Sequence, residues 1–192
     1  MSKSYNKKIT ATAARLGEVR FSYAHVFEPY ASEEGKEKKY SVCVLIPKTD
    51  TAAMAIIEEC IAAAKEVGKT KKWGGKIPAK CASPIRDGDE EWEDKGEAYK
   101  GMWFFNCSAK NPVGIRVLEG GKVTEALDMD DFYSGCWGAV SVGFFPYDNS
   151  GNKGVGVGLN NVIKTRDDER LAGGSNADED FADMGDTADE LD

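Results

Sequence analysis

Hydrophobic and polar positions along this chain alternate mostly with the two-residue period of β-strands. In residues 40–46 the alternation is unbroken: Tyr40, Val42, Val44 and Ile46 fall on one face. Five other segments rich in β-branched and aromatic residues read as strands, at 9–27, 102–109, 114–118, 135–145 and 154–163. Strands on both sides of a single helix favour a small antiparallel barrel over a parallel sheet.

The one clear helical pattern follows the strand that ends at Pro47. Asp50 or Thr51 caps the N-terminus of this helix, and Gly68 is predicted to end it. Residues 69–101 then form a long irregular segment rich in Gly, Lys and acidic residues, which is typical of a functional loop or a missed element. The buried stripe of the helix is predicted at Met54, Ile57, Ile61 and Ala64.

Charge divides the chain into two parts. Residues 171–192 contain eight Asp or Glu and no Lys or Arg, whereas the remaining 25 acidic residues balance the 25 basic ones. The sequence therefore predicts a domain at 1–170 and a disordered acidic tail at 171–192. Such a tail either keeps the protein soluble or imitates a polyanion, occupying a cationic groove and recruiting basic partners.

Composition argues against a membrane protein, a secreted protein, a zinc site and a nucleotide cofactor. No run of about 18 apolar residues predicts a membrane span, and no apolar stretch follows the N-terminal lysines as in a secretory signal. Five widely spaced Cys without a CxxC pair, together with a single His, predict reduced thiols in a cytoplasm and no zinc site. His25 is read as a structural strand residue. No phosphate-binding loop or dinucleotide fingerprint occurs, so no cofactor is expected.

The remaining candidates are typical of single-stranded nucleic-acid binding. Lysines surround Trp73 in a Gly-containing loop, and aromatic residues alternate with small ones in 137–147, an arrangement suited to phosphates and stacked bases. Core packing is the competing role for each aromatic ring. Isolated cations on the later strands and loops would extend this set of phosphate contacts if they share one groove: Lys100, Lys110, Arg116, Lys153 and Lys164. The predicted DNA-binding residues are Lys71, Lys72, Trp73, Lys76, Lys80, Arg86, Trp103, Phe105, Arg116, Trp137, Phe145 and Tyr147.

Two other functions are consistent with the sequence. Asp128, Asp130 and Asp131 could form the metal cluster of a nuclease, although an acidic turn is the simpler interpretation. Alternatively, the barrel binds only protein, as a phage structural or adaptor component.

Several segments together resemble the single-stranded DNA-binding proteins of tailed bacteriophages. They are YSVCVLIPKTD before the helix, MWFFNCSAK, the late pair GAVSVGFFPYDNSGNKGVGVGLNNVIKTRD, and Gly-Gly followed by DEDFAD. The resemblance implies an OB-fold barrel with an inserted helix, sequence-tolerant binding of single-stranded DNA, and roles in phage replication, recombination and repair in the host cytoplasm. It also implies that the tail competes with DNA and docks on the polymerase and helicase-primase, and that homodimers occur. The residues in the place of the family's acidic-aromatic tail are Asp178, Glu179, Asp180, Phe181 and Asp183.

Overall fold

The fold is described by a computed structural model that covers residues 4–171. No helix among these residues has the length and hydropathy needed to cross a membrane. Two α-helices and a 3-10 turn lie at α1 Thr51–Lys71, α2 Gly88–Lys95 and Glu97–Tyr99. The strands are β1 Lys7–Lys8, β2 Ala13–Tyr30, β3 Lys39–Pro47, β4 Arg86–Asp87, β5 Met102–Ala109, β6 Gly114–Glu119, β7 Lys122–Glu125, β8 Trp137–Asn149 and β9 Asn152–Arg166.

Five of these strands close into a barrel. The order β5-β3-β2-β8-β9 is antiparallel throughout, and a parallel pairing of Ser108 with Gly158 joins β5 back to β9. This is the strand arrangement of the OB fold, a five-stranded Greek-key barrel, so the predicted fold class is confirmed. β6 and β7 extend the sheet beyond β9 as a hairpin.

The barrel interior is filled by alternating residues of each strand. Val140, Val142 and Phe144 of β8 are buried there, as are Val42, Val44 and Ile46 of β3, which the sequence placed on one face. The pairing of β2 with β8 shifts register between Gly17 and Val19, so β2 is irregular at this point.

Helix α1 covers one end of this interior. The Asp50 carboxylate accepts a hydrogen bond from the Ala53 amide at 3.0 Å, which settles the cap. The helix continues to Lys71, past its predicted end at Gly68. Gly68 is instead a contact residue, since a Cβ there would lie 2.6 Å from carbons of Pro146 and Trp73.

The segment 69–101 contains a second helix that the sequence did not predict. Helix α2 and the 3-10 turn form a cap, hereafter the α2 cap, over the outer face of β3 and β5. Leu45 and Phe104 are therefore as buried as the barrel interior although they point away from it. Gly88 lets the cap close on itself, because a Cβ there would overlap the carbonyl oxygen of Tyr99.

Tyr99 ties the α2 cap to the barrel. Its hydroxyl donates to Ser22 Oγ at 3.0 Å and lies 3.6 Å from Cys43 Sγ. Ser22 is 4% exposed, so its hydroxyl depends on this partner. Burial raises the pKa of Tyr99, which keeps the phenol protonated as a donor.

We expect Tyr99→Phe to lower the free energy of unfolding by about 1–3 kcal/mol, because the buried Ser22 hydroxyl would lose its partner. Urea denaturation of both proteins measures the difference. Tyr23→Phe is the control, since Tyr23 is exposed on the same strand as Ser22. Equal stability of Tyr99→Phe and the parent chain would contradict this role.

Candidate nucleic-acid interface

Strand pairing places an open row of mostly small residues around the outside of the barrel. Each is paired with the next across neighbouring strands, and paired residues share a face of the sheet. Their neighbours along each strand, such as Val42 and Val142, point into the core. We call this open row the belt; its members are His25, Ser41, Ser108, Gly158, Gly143 and Ala13. With five steps of about 4.8 Å between strands, it follows the barrel surface for roughly 24 Å.

Cations border the belt on one side. Arg15 lies two residues from the belt member Ala13 on β2, and Lys39 lies two residues from Ser41 on β3. Lys110 lies two residues from Ser108, just past the end of β5. All three cations lie toward the same end of the barrel. None of the three forms an ion pair within residues 4–171, whereas Lys48, Arg86 and Arg166 do. The charge beside the belt is thus uncompensated by the described part of the chain.

An aromatic platform lies on the other side of the belt. Phe145 faces outward from β8, is 47% exposed, and pairs with Gly156 of β9. A Cβ at Gly156 would lie 2.7 Å from the Phe145 ring, so the ring rests directly on the backbone of β9. At the next pair, the Tyr147 hydroxyl lies over Gly154, 2.8 Å from where a Cβ would be. The ring of Phe145 has one face supported and the other open to a flat ligand.

A second pair of rings lies at the far end of the belt. His25 and Tyr30 stack with centroids 4.2 Å apart and ring planes 11° apart, and Tyr30 is 52% exposed. Burial lowers the pKa of His25, so its imidazole is neutral near pH 7. The Tyr30 ring therefore forms an uncharged stacking surface backed by another ring.

The structure corrects the sequence-based prediction for two rings. Phe105 is 0% exposed and faces the barrel interior, because barrel closure turns this face of β5 inward. Trp73 is 7% exposed, packs over Gly68, and donates from Nε1 to the Tyr147 carbonyl oxygen at 3.1 Å. Neither ring is accessible to a base.

Three other predicted residues are engaged away from the belt. Trp103 is partly buried under the Lys48 ammonium, 4.4 Å from the ring centroid. Trp137 is covered by the Arg166 guanidinium at 4.2 Å, and its Nε1 donates to Asp168 at 2.8 Å. Arg86 pairs with Glu91 of the α2 cap.

Two of the predicted lysines lie on a surface different from that of the belt. Lys71 and Lys72 are exposed at the C-terminal end of α1, which packs on Pro146, the face of β8 opposite Phe145. Lys76 and Lys80 are exposed in the following loop, which reaches the edge of β9 where Ala82 bridges Gly154. Arg116 lies on β6, beyond Lys110.

The acidic candidates also have definite positions. The Asp131 carboxylate accepts from the amide of Leu127, and Asp128 accepts from that of Asp130, so these residues build an exposed turn. Within residues 4–171 no group of three or more His, Cys, Asp or Glu is arranged to hold a metal. The tail residues Asp178, Glu179, Asp180, Phe181 and Asp183 lie outside the described residues.

Sequence reasoning missed Tyr30, Lys39 and Arg15. Tyr30 closes an 18-residue strand whose alternation breaks, since the pairing of β2 with β3 shifts register twice between Ser22 and Tyr30. Arg15 stands alone in the sequence and Lys39 ends a charged loop, and only strand pairing brings them beside the same belt.

The barrel and its strand order define an OB-fold protein. Residues 12–191 match the family model described as the ssDNA-binding protein of Enterobacter phage Enc34, and the chain belongs to that family. It is also 35% identical over 182 residues to putative protein p50 of Acyrthosiphon pisum secondary endosymbiont phage 1, a match covering 88% of this chain and 92% of that relative.

Solved structures agree with this assignment. The single-stranded DNA-binding protein of bacteriophage Enc34, in complex with ssDNA, superimposes with a TM-score of 0.71 at 29% identity, covering 88% of this chain and 99% of that one. The single-stranded DNA-binding protein gp2.5 of bacteriophage T7 shares the fold, with a TM-score of 0.54 at 18% identity over 93% of this chain and 94% of that one.

We expect Tyr30→Ala to raise the pKa of His25 toward its ordinary value of 6.5, because the imidazole would lose the ring that shields it from water. NMR titration follows this directly, since the chain has a single histidine. Phe145→Ala is the control and should leave the His25 pKa unchanged. A parent pKa at or above 6.5 would contradict the burial argument.

Proposed function

We propose that this protein binds single-stranded DNA along the belt without reading its sequence. The observation that carries the proposal is the combination of an open backbone surface, cations on one side that form no ion pair within residues 4–171, and exposed rings at Phe145 and Tyr30. Lysine and arginine bind phosphates of any sequence, and every base has a face that stacks on an aromatic ring. Family membership and the likeness to a chain solved with ssDNA support the same ligand.

Each element has a defined part in this proposal. Arg15, Lys39 and Lys110 contact successive phosphates, with Arg116 further along the same surface. Phe145 and Tyr30 stack bases at either end of the belt. The glycines of the belt leave room for the sugar-phosphate chain to approach the sheet, because they carry no side chain.

A cellular role in coating and protecting ssDNA during phage replication, recombination and repair follows from this binding. The acidic residues Asp178, Glu179, Asp180 and Asp183, with Phe181 among them, would recruit the phage polymerase and helicase-primase, and would also compete with DNA. Leu171, the last described residue, packs beside the α2 cap. The 21 residues that follow span at most about 70 Å, which is enough to reach the belt.

Self-association as a homodimer belongs to the same proposal.

Binding of fluorescein-labelled oligo-dT, followed by anisotropy, tests the surface. Phe145→Ala should weaken binding roughly 5- to 150-fold, the range for one lost base stack.

Lys110→Ala should weaken binding and reduce the slope of log affinity against log salt by about 0.7 from a parent value near −3, if four cations contact phosphates. Tryptophan emission is a poor probe, because all four tryptophans, Trp73, Trp92, Trp103 and Trp137, lie off the belt.

Lys72→Ala is the matched control, since Lys72 is an exposed lysine on the other face of the β8–β9 hairpin. It should leave both the affinity and the salt slope unchanged. If Lys72→Ala weakens binding and Lys110→Ala does not, the DNA path follows the lysine cluster after α1 and the belt is rejected.

Deletion of residues 173–192 should raise the affinity for oligo-dT, because it removes a polyanion that competes for Arg15, Lys39 and Lys110. The increase should shrink as salt rises. A full-length variant with the tail carboxylates changed to Asn and Gln is the control, and should behave like the deletion. Equal or weaker binding by both would reject competition by the tail.

A further inference from the structure

A cavity of about 610 Å³ opens beside the belt, between the outer face of β8 and β9 and the connection from β5 to β6. Ala13 belongs to both the belt and the cavity wall, and Lys110 lies at the rim as well as beside the belt. A strand lying along the belt therefore passes the mouth of this cavity. Its volume is within the range of about 300–1,000 Å³ that small organic ligands occupy in proteins.

A bulge in β9 shapes the cavity. Ser141 pairs with Asn161 and Val142 with Leu159, so Asn160 is an extra residue on β9 and is exposed at the cavity. Bulges of this kind redirect a side chain at binding sites. Asn161, by contrast, is occupied, because its side-chain oxygen accepts from the Gly114 amide at 3.1 Å.

The walls combine amides, a hydroxyl and apolar surface. The side chains of Asn111 and Asn160 have no hydrogen-bond partner among residues 4–171, and each offers both a donor and an acceptor. The Ser141 hydroxyl is buried and also lacks a partner in this part of the chain. Ile9, 53% exposed, adds an apolar wall.

The charged residues that line the cavity indicate which kind of ligand fits it. No described residue that lines the cavity is Asp or Glu, which argues against a metal ion. Lys110 at the rim favours an anionic group at the mouth, while the interior offers hydrogen bonds and flat apolar contact. A nucleotide has this division, with a charged phosphate outside and an uncharged, edge-polar base inside.

We propose that the cavity receives one base of the bound strand, turned out of the stack. Its face lies against Ile9 and Ala13, its edge meets the amides of Asn111 and Asn160, and its phosphate meets Lys110. Because an amide both donates and accepts, any of the four bases finds a partner, and binding stays tolerant of sequence. This inference rests on the proposed function, since it assumes a DNA strand on the belt.

The test scans single abasic sites through the shortest oligo-dT that binds the full-length protein with full affinity. We expect one position at which the abasic site weakens binding roughly 5- to 150-fold and at which Asn160→Leu abolishes that penalty. The base stacked on Phe145 should give a penalty at a different position, abolished by Phe145→Ala and retained in Asn160→Leu. Asn160→Gln, which keeps the amide, should retain both penalties.

The two hypotheses fail differently. If the parent protein and Asn160→Leu bind intact oligo-dT equally and show the same abasic penalties, the cavity is empty in the complex and this inference is overturned, while the proposed function stands. Failure of the parent protein to bind oligo-dT overturns both. Thermal unfolding verifies that each variant folds, and Asn111→Leu repeats the test on a second wall should Asn160→Leu fail to fold.

Discussion

Closure of the barrel between β5 and β9 is the constraint on which the rest of the structure depends. The parallel pairing of Ser108 with Gly158 removes two sheet edges that would otherwise expose backbone donors and acceptors. Closure also divides every strand into an inner and an outer face, so Cys107 and Val157 become core residues while Ser108 and Gly158 become surface. The belt exists because the closing pair is small and faces outward.

The α2 cap then decides how much of that outer surface stays open. It buries Leu45 and Phe104 on the outer face of β3 and β5, the region through which many OB folds bind nucleic acid. Within residues 4–171, the open surface therefore shifts toward Ser108 and the belt glycines of β8 and β9, where a Cβ at Gly143 would meet no atom within 4 Å. The buried Tyr99–Ser22 hydrogen bond holds the cap in place, and so contributes to the interface without touching it.

Local pattern predicted the elements well and the interface poorly, for a physical reason. Alternation correctly placed Val42, Val44 and Ile46 on one face, which is buried in the core, because the period of a strand is a local property. The two faces of β5 both carry aromatic residues, and only closure of the barrel makes Phe105 interior. Trp73 sits among lysines and glycines, and its burial depends on Gly68 and Pro146, which meet it only in the folded chain. The belt draws on five strands, so no window of sequence contains it.

Phe145 illustrates why an exposed ring here is better explained by binding than by folding. An exposed aromatic surface gains little from folding, because the hydrophobic contribution scales with the area removed from water. The position of the ring is nevertheless fixed by its contact with Gly156, which has no Cβ; any larger residue there would push the ring away.

Glycine within a strand weakens that strand, since it costs more conformational entropy and packs no side chain. A ring already immobilised against the backbone loses less conformational entropy when a base stacks on it. The glycine therefore lowers the stability of the strand but raises the affinity for the base. Glycines 154 and 156, opposite Tyr147 and Phe145, thus act together: β9 lacks side chains at these two positions, and the aromatic side chains of β8 lie over them.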